Sequence, residues 1–194
     1  GNCRDQTDSG RWLMASIKHH VLDRPHFDIP TKLLIVVSPY YKEVAADMVL
    51  GAKAEIEGAS ATWELIEIPG ALEIPTAIGI SERMANFDGY VALGCVIRGE
   101  TTHYDTVCKD SSRALQLLGL QGLCIGNGIL TVETIEQAEV RADPDRQNKG
   151  GAAAAAALHL IAISRKWGNH GKDIGFKTTL NENQLTSKTG FTTT

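Results

Sequence analysis

The chain has 194 residues, 43% of them hydrophobic, which is enough to build one globular domain around a substantial core. Its formal net charge of −4 gives no attraction for nucleic acid or for an anionic membrane surface, so we expect neither as a partner. The apolar runs are far shorter than a membrane span, and the first residues lack the apolar core of a signal peptide. We therefore expect a cytoplasmic protein.

Apolar runs and amphipathic stretches alternate along the chain. Short apolar runs bounded by turn residues are typical of buried strands, and they occur at residues 32–38, 62–68, 90–96 and 123–130. Stretches with helical periodicity or helix start signals lie between and after them, at residues 41–57, 72–86, 104–119, 134–143 and 149–167. This alternation predicts an α/β fold in which a four-stranded parallel sheet carries helices on both faces.

Two of the predicted helices begin with specific signals. Pro75 lies where the first turn of the second helix is expected, the one part of a helix that tolerates proline. Thr134 and Gln137 fit a capping box, in which the Gln137 side chain reaches back to the Thr134 amide. Both signals support the helix boundaries given above.

The two ends of the chain differ from its centre. Residues 1–30 lack periodicity, and we expect an N-terminal extension that is partly flexible. Residues 169–194 are rich in Thr, Asn, Lys and Gly, a composition that predicts a disordered polar tail. The folded domain is accordingly predicted at residues 31–168.

The four cysteines form no Cys-x-x-Cys pair. They are Cys3, Cys95, Cys108 and Cys124, and three of them lie in or beside apolar segments. Such cysteines are usually small core residues in a reducing compartment, and we favour this interpretation over a disulfide, a metal site or a nucleophile. The sequence therefore predicts no metal site.

The most informative segment is residues 94–105, which follows the apolar run of the third predicted strand. It brings two glycines, an arginine, an acid, two threonines and His103 to the carboxyl end of that strand, the edge where open α/β sheets bind ligands. The free backbone amides of residues 99–102, just before a helix, suit a small anion. His103 fits either a proton-transfer residue or a structural histidine, and the loop context leaves the two about equal.

Other strand ends carry polar or aromatic groups as well. Tyr40 and Tyr41 follow the first strand, where an aromatic ring either stacks on a planar ligand or lies at the rim of the core. Residues 69–75 follow the second strand and offer amides and the Glu73 carboxylate to the hydroxyls of a polyol, or form an ordinary turn. Arg141 could meet a phosphate, although a solvated helix arginine is the more common case. The convergence of these groups on one edge predicts a binding site there.

Taken together, these motifs resemble the lumazine synthase family. The similarity extends over residues 31–168, and the matching motifs occur in the same order along the chain. These motifs are residues 69–75, 94–105, 126–134, 136–138 with Arg141, and 148–151. The resemblance implies a flavodoxin-like three-layer α/β/α sandwich and a homopentamer with active sites between subunits. It also implies a reaction without cofactor, in which 5-amino-6-(D-ribitylamino)uracil and 3,4-dihydroxy-2-butanone 4-phosphate give 6,7-dimethyl-8-ribityllumazine, phosphate and water.

The resemblance also assigns roles to residues at matching positions. His103 matches the catalytic acid/base residue. The predicted phosphate contacts are Glu100, Thr101 and Arg141. Tyr40 matches the aromatic residue that stacks on the pyrimidine ring, and Asn127 matches a residue on the neighbouring subunit's side of the site. The predicted contacts to the ribityl chain are Ala71, Leu72 and Glu73. The predicted lining of the pyrimidine pocket is Cys95, Val96 and Ile97.

The chain departs from the family pattern at three points. Tyr40 follows Pro39, whereas Phe or Trp followed by Asn is frequent in the family, so the stacking geometry is left open. Asn127 replaces a hydrophobic wall, at a position where many members of the family have Phe. Residues 143–147 replace the linker typical of capsid-forming members, which favours a free pentamer over an icosahedral shell. A non-catalytic flavin- or lumazine-binding protein, or a structural assembly protein, remains the alternative interpretation.

Overall fold

The computed structural model describes residues 22–168. The predicted tail at residues 169–194, most of the predicted N-terminal extension and Cys3 lie outside the described residues. The strands are β1 (Lys32–Val37), β2 (Thr62–Glu67), β3 (Gly89–Ile97) and β4 (Ile125–Val132). The helices are α1 (Lys42–Gly58), α2 (Ile74–Met84), α3 (His103–Leu120), α4 (Ile135–Ala142) and α5 (Lys149–Gly168).

All predicted strands and helices are confirmed, with boundaries that shift by no more than two residues. The second predicted helix is divided into a short 3-10 turn, Ala71–Glu73, and α2, because Pro75 falls at the start of the α-helical part. Strand β4 begins at Ile125 and extends to Val132, so the two glycines in it do not interrupt the pairing. Gly126 is in fact required there, because a Cβ atom would lie 1.8 Å from the carbonyl oxygen of Ala153 in α5.

The sheet is parallel throughout, in the order β2-β1-β3-β4. Alternate side chains of its central strands enter two separate apolar clusters: Leu33 and Ile35 pack with α1, α4 and α5, whereas Leu34 and Val36 pack with α2 and α3. These two clusters confirm the three-layer α/β/α sandwich. The chain runs outward from β1 to β2 and then returns to the other side of β1, so the strand order reverses between β1 and β3. A crevice at the carboxyl ends of such strands is the usual ligand site of open α/β sheets.

The packed body begins before residue 31. The Phe27 ring is only 8% exposed and joins the cluster that contains α1 and α5, and its backbone amide donates to the carbonyl oxygen of Ala59. Arg24 donates two hydrogen bonds to Glu55 of α1. Residues 24–27 are therefore held against the domain, whereas the sequence pattern gave no sign of their packing.

The start of α5 is fixed by close packing on α1. A Cβ atom on Gly150 would lie 2.0 Å from the carbonyl oxygen of Met48, so only glycine lets the two helices approach this closely. Asn148 has a φ of 44°, and its Oδ1 accepts a hydrogen bond from the amide of Gly151. Packing of Gly150 on α1 and the Asn148 hydrogen bond at the start of α5 thus account for the motif at residues 148–151.

The capping box of α4 is confirmed with one correction. The Thr134 hydroxyl oxygen accepts from the amide of Gln137, as expected. The Gln137 side chain, however, accepts from the amide of Glu133 at 2.9 Å and not from the amide of Thr134. Glu133 directly follows β4, so this bond joins the first turn of α4 to the end of the strand.

The cysteines in the described part are unpaired. Cys95 and Cys124 are buried and Cys108 is half-buried, as expected of small core residues. No helix within residues 22–168 combines the length and apolar character needed to cross a membrane.

Candidate active site

A cleft of about 550 Å³ opens at the carboxyl edge of the sheet, where the strand order reverses. Ser38 lies directly after β1, Cys95, Val96 and Ile97 end β3, and His103 begins α3. The volume lies within the range of small-molecule sites. The other lining residues come from the turn before α2, from the loop after β1 and from α3, and they are Tyr40, Tyr41, Pro69, Gly70, Ala71, Leu72, Glu73 and Val107.

Two tyrosines form the outer wall of this cleft. Their rings meet edge to face with centroids 5.1 Å apart. Tyr40 is 75% exposed, which leaves its ring accessible to a ligand, whereas Tyr41 is partly buried against the core. Desolvation by burial, followed by electrostatic interactions with Cys95 and Tyr40, raises the pKa of the Tyr41 hydroxyl above its ordinary value. The wall is an aromatic pair with one ring available for stacking.

The inner wall is made by the end of β3. Burial raises the pKa of the Cys95 thiol to about 11, so the thiol is neutral at physiological pH. A neutral, buried thiol is a poor nucleophile. Cys95 is therefore an apolar lining residue, like Val96 and Ile97 beside it.

The turn after β2 supplies polar groups to the opposite side of the cleft. The Ser38 hydroxyl donates to the carbonyl oxygen of Pro69 and ties this turn to the end of β1. A Cβ atom on Gly70 would lie 2.6 Å from a carboxylate oxygen of Glu73, so that carboxylate folds back over the turn. The arrangement presents a carboxylate and backbone groups to the hydroxyls of a ligand.

His103 is the first residue of α3, and it lines the cleft. Its backbone amide donates to the Thr101 hydroxyl oxygen at 3.4 Å, and within residues 22–168 no hydrogen bond holds the ring. Glu100 and Thr101 are exposed in the loop before it and are not lining residues of the cleft. The loop nevertheless adjoins the cleft through His103, so its amides lie beside the predicted proton-transfer group.

The remaining two predicted site residues lie elsewhere in the chain. Asn127 and Arg141 line a second, smaller cleft of about 340 Å³ between β4 and the start of α5. Arg141 donates to the carbonyl oxygen of Gln137 one turn earlier. The two clefts share no lining residue, so one chain does not bring Arg141 and Asn127 to His103.

Several lining residues were not singled out from the sequence. Lys149 belongs to the family motif at residues 148–151, but no role in the site was expected for it from the sequence; it lines the second cleft with Arg141, which places two cations there. Val107 and Ser38 line the first cleft. Simple signals could have found them, because Val107 lies four residues after His103 on the same helix face and Ser38 directly follows β1. Among residues 22–168, no group of three His, Cys, Asp or Glu side chains is placed to hold a metal ion.

A cleft at the switch point of a parallel sheet, with an aromatic wall, a carboxylate and a histidine at a helix start, is typical of α/β enzymes. Comparison with known proteins narrows this class. The family model described as 6,7-dimethyl-8-ribityllumazine synthase matches residues 30–165.

Individual relatives agree with the family match. A 6,7-dimethyl-8-ribityllumazine synthase of Jannaschia sp. is 56% identical over 164 residues, which cover 84% of this chain and 92% of the relative. Proteins of the same name from Novosphingobium aromaticivorans and Methylocella silvestris are 49% and 53% identical. Each alignment covers 70% of this chain, and they cover 98% and 86% of those two relatives respectively. The chain belongs to the 6,7-dimethyl-8-ribityllumazine synthase family.

Proposed function

We propose that this protein is a riboflavin-pathway enzyme that condenses 5-amino-6-(D-ribitylamino)uracil with 3,4-dihydroxy-2-butanone 4-phosphate, giving 6,7-dimethyl-8-ribityllumazine. The observation that carries the proposal is the open cleft at the switch point, which combines Tyr40, Glu73 and His103 in a family whose members are named for this product. A structural assembly protein would be favoured by a blocked cleft, and this one is open. A pure binding protein has no use for a proton-transfer residue at the edge of the ligand.

The proposed pyrimidine site is the inner part of this cleft. The Tyr40 ring stacks on the pyrimidine, with Tyr41 holding it edge to face. Cys95, Val96 and Ile97 lie along the ring as an apolar lining. The ribityl hydroxyls meet the turn that follows β2, through the Glu73 carboxylate and the backbone of Ala71 and Leu72.

The proposed phosphate site is built from two subunits. The amides of Glu100 and Thr101, in the loop before α3, bind the phosphate of the second substrate. Arg141 of the neighbouring subunit completes the site with a charge-assisted hydrogen bond, and Asn127 forms the facing wall. The separation of the two clefts within one chain supports this division, because each cleft holds groups that the other lacks. Lys149 adds a second cation beside Arg141.

In the proposed reaction, the pyrimidine amine attacks the ketone carbonyl and forms a Schiff base with loss of water. A proton is then removed from the carbon next to the imine, and phosphate leaves from the adjoining carbon. The enol that results takes up a proton to form a methyl ketone, and the ribityl-bearing nitrogen attacks this ketone and closes the ring with loss of a second water. His103 moves protons during these steps, as general acid–base catalysis requires. Holding two reactants side by side supplies much of the remaining acceleration, and the chemistry uses no cofactor.

We further propose a homopentamer in the cytoplasm as the working assembly. Five copies in a closed ring place the first cleft of each subunit against the second cleft of its neighbour, which is a heterologous interface. The loop at residues 143–147 differs from the linker of capsid-forming relatives and favours a free pentamer. The particle mass in solution separates a pentamer from a decamer or a shell.

The test of the activity is to mix both substrates with the protein and follow lumazine fluorescence. We expect turnover by the wild type and a loss of about 10²-fold in kcat for His103→Ala, the lower end of what general acid–base catalysis contributes. The exposed His26 provides the control, since His26→Ala should leave kcat unchanged. Binding of the pyrimidine without any lumazine formation would establish the non-catalytic alternative.

Arg141→Ala tests the phosphate assignment separately. Loss of a charge-assisted hydrogen bond costs about 1.5–3 kcal/mol, so we expect the KM for the phosphorylated substrate to rise by about tenfold or more. Arg146→Ala is the matched control, because Arg146 is exposed on the adjoining loop and lines neither cleft. A change confined to the KM for the pyrimidine would contradict the assignment.

A further inference from the structure

Arg98 lies between the end of β3 and the loop that leads to His103. Its backbone amide donates to the carbonyl oxygen of Val132 at 3.0 Å and so extends the pairing of β3 with β4 by one step. From this fixed point the chain enters residues 99–102 and then α3. The anchor before the loop is therefore Arg98 itself.

The guanidinium group of Arg98 joins three elements of the fold. Its Nε lies 3.1 Å from Oε1 and 2.9 Å from Oε2 of Glu133, the residue that follows β4. Its Nη1 lies 3.6 Å from a carboxylate oxygen of Asp105, and the group stacks over the Tyr104 ring at 4.1 Å from the centroid. Tyr104 and Asp105 both belong to the first turn of α3, so the arginine ties this turn to the ends of β3 and β4.

Apart from the contacts of Arg98 and a hydrogen bond between the Tyr104 and Cys108 side chains, few side-chain contacts hold the first turn of α3. Thr102 occupies the cap position but makes no side-chain capping bond, and the contact from Thr101 to the His103 amide is long, at 3.4 Å. No hydrogen bond to the His103 ring is found in the described part of the chain, so the place of the imidazole depends on where this turn lies. Arg98 contacts Tyr104 and Asp105, the two residues that follow His103, and these contacts hold the turn that carries the imidazole.

We infer that Arg98 is a positioning residue, which holds the first turn of α3 so that His103 faces the cleft. This role differs from the one that its place beside an anion loop would suggest. An arginine in such a loop is a natural phosphate ligand. Here, however, the Glu133 and Asp105 carboxylates neutralise its charge and its flat face lies on Tyr104, so phosphate binding falls to the loop amides and to Arg141.

The inference rests on the proposed function for its kinetic test. We expect Arg98→Gln to lower kcat about tenfold, since small misplacements of a catalytic group cost up to about 10²-fold, while the KM for the phosphorylated substrate changes little. Glu133→Gln should act in the same direction, because it removes the partner without touching the loop. Arg98→Lys should fall between Arg98→Gln and the wild type, as lysine keeps the charge but loses the planar fork.

The matched control is Arg24→Gln. Arg24 and Glu55 form a similar exposed pair, with bonds of 2.9 and 2.8 Å, but they lie away from the cleft, so kcat should stay at the wild-type value. A rise in the KM for the phosphorylated substrate with unchanged kcat in Arg98→Gln would overturn the inference and make Arg98 a phosphate ligand. Wild-type kcat in Arg98→Gln or Glu133→Gln would overturn it as well.

A measurement without substrate separates this inference from the proposed function. In the ligand-free protein, exchange of the hydrogen-bonded amides of residues 105–107 should be faster in Arg98→Gln than in the wild type and unchanged in Arg24→Gln. If the wild type makes no lumazine but exchange is faster in Arg98→Gln, the proposed function fails while the positioning role of Arg98 is supported. Unchanged exchange in Arg98→Gln would refute the positioning role of Arg98, even if the wild type is an active enzyme.

Discussion

A mixed oligomer of two damaged variants gives the sharpest test of a site shared between subunits. His103 lines the cleft at the switch point, whereas Arg141 lines the cleft beside β4, and no residue lines both. His103→Ala and Arg141→Ala therefore damage different halves of the proposed site. In an assembly that contains both variants, some sites receive the intact half from each.

The expected recovery follows from simple counting. In a closed ring assembled at random from equal amounts of the two variants, a given site has an intact His103 half with a probability of about one half, and independently an intact Arg141 half with the same probability. About one quarter of the sites are then undamaged. Measured as kcat/KM for the phosphorylated substrate, the activity of the mixed oligomer should reach about a quarter of the wild-type value per subunit, well above either variant alone.

The experiment uses co-expression of the two variants with different affinity tags, followed by purification on both tags and the fluorescence assay. A mixture of His103→Ala with Tyr40→Ala is the control, because both residues line the same cleft. Every cleft in that mixture carries one lesion, so no recovery is expected. Absence of recovery in the first mixture would refute the reasoning and place Arg141 outside the neighbour's site.

Two further predictions concern stability and are checked by denaturation at a fixed protein concentration. Gly126→Ala should destabilise the fold by about 3 kcal/mol, because its Cβ atom would lie 1.8 Å from the carbonyl oxygen of Ala153. Gly119→Ala is the control: a Cβ atom there has no neighbour within 4 Å, so this variant should be more stable by about 0.4–1 kcal/mol. Equal effects of the two substitutions would contradict the packing argument. Burial raises the pKa of Cys95 from 9.0 to about 11, so the native state holds this proton more tightly than the unfolded state does. The free energy of unfolding should therefore fall as pH rises from about 9 to about 11. Cys95→Ala should show a smaller fall over that range, and an unchanged fall would contradict the role of Cys95.

The secondary structure was predictable because its signals are local. The apolar run of β1 and the start signals at Pro75 and Thr134 each depend on a few neighbouring residues. The hydrogen bond from the Glu133 amide to Gln137 was not predictable, because it depends on how the chain turns between β4 and α4.

The candidate site was predictable only in part. Residues at the ends of β1, β2 and β3 were expected to meet, since parallel strands end at one edge, and Tyr40, Glu73 and His103 do line one cleft. Arg141 was expected beside the same phosphate, and its position in a separate cleft follows from β4 lying at the edge of the sheet. Its role in the neighbouring site stays a prediction.

By itself, the sequence determined the type and order of the elements, the parallel sheet and the family, because periodicity, turn residues and collinear motifs are all written along the chain. Only the tertiary structure decided the strand order β2-β1-β3-β4, the division of the predicted site into two clefts and the tie between Arg98 and Glu133. These depend on which strands become neighbours, and Arg98 and Glu133 are 35 residues apart in sequence. Contacts of that kind are set by packing of the whole sheet, which no local pattern encodes.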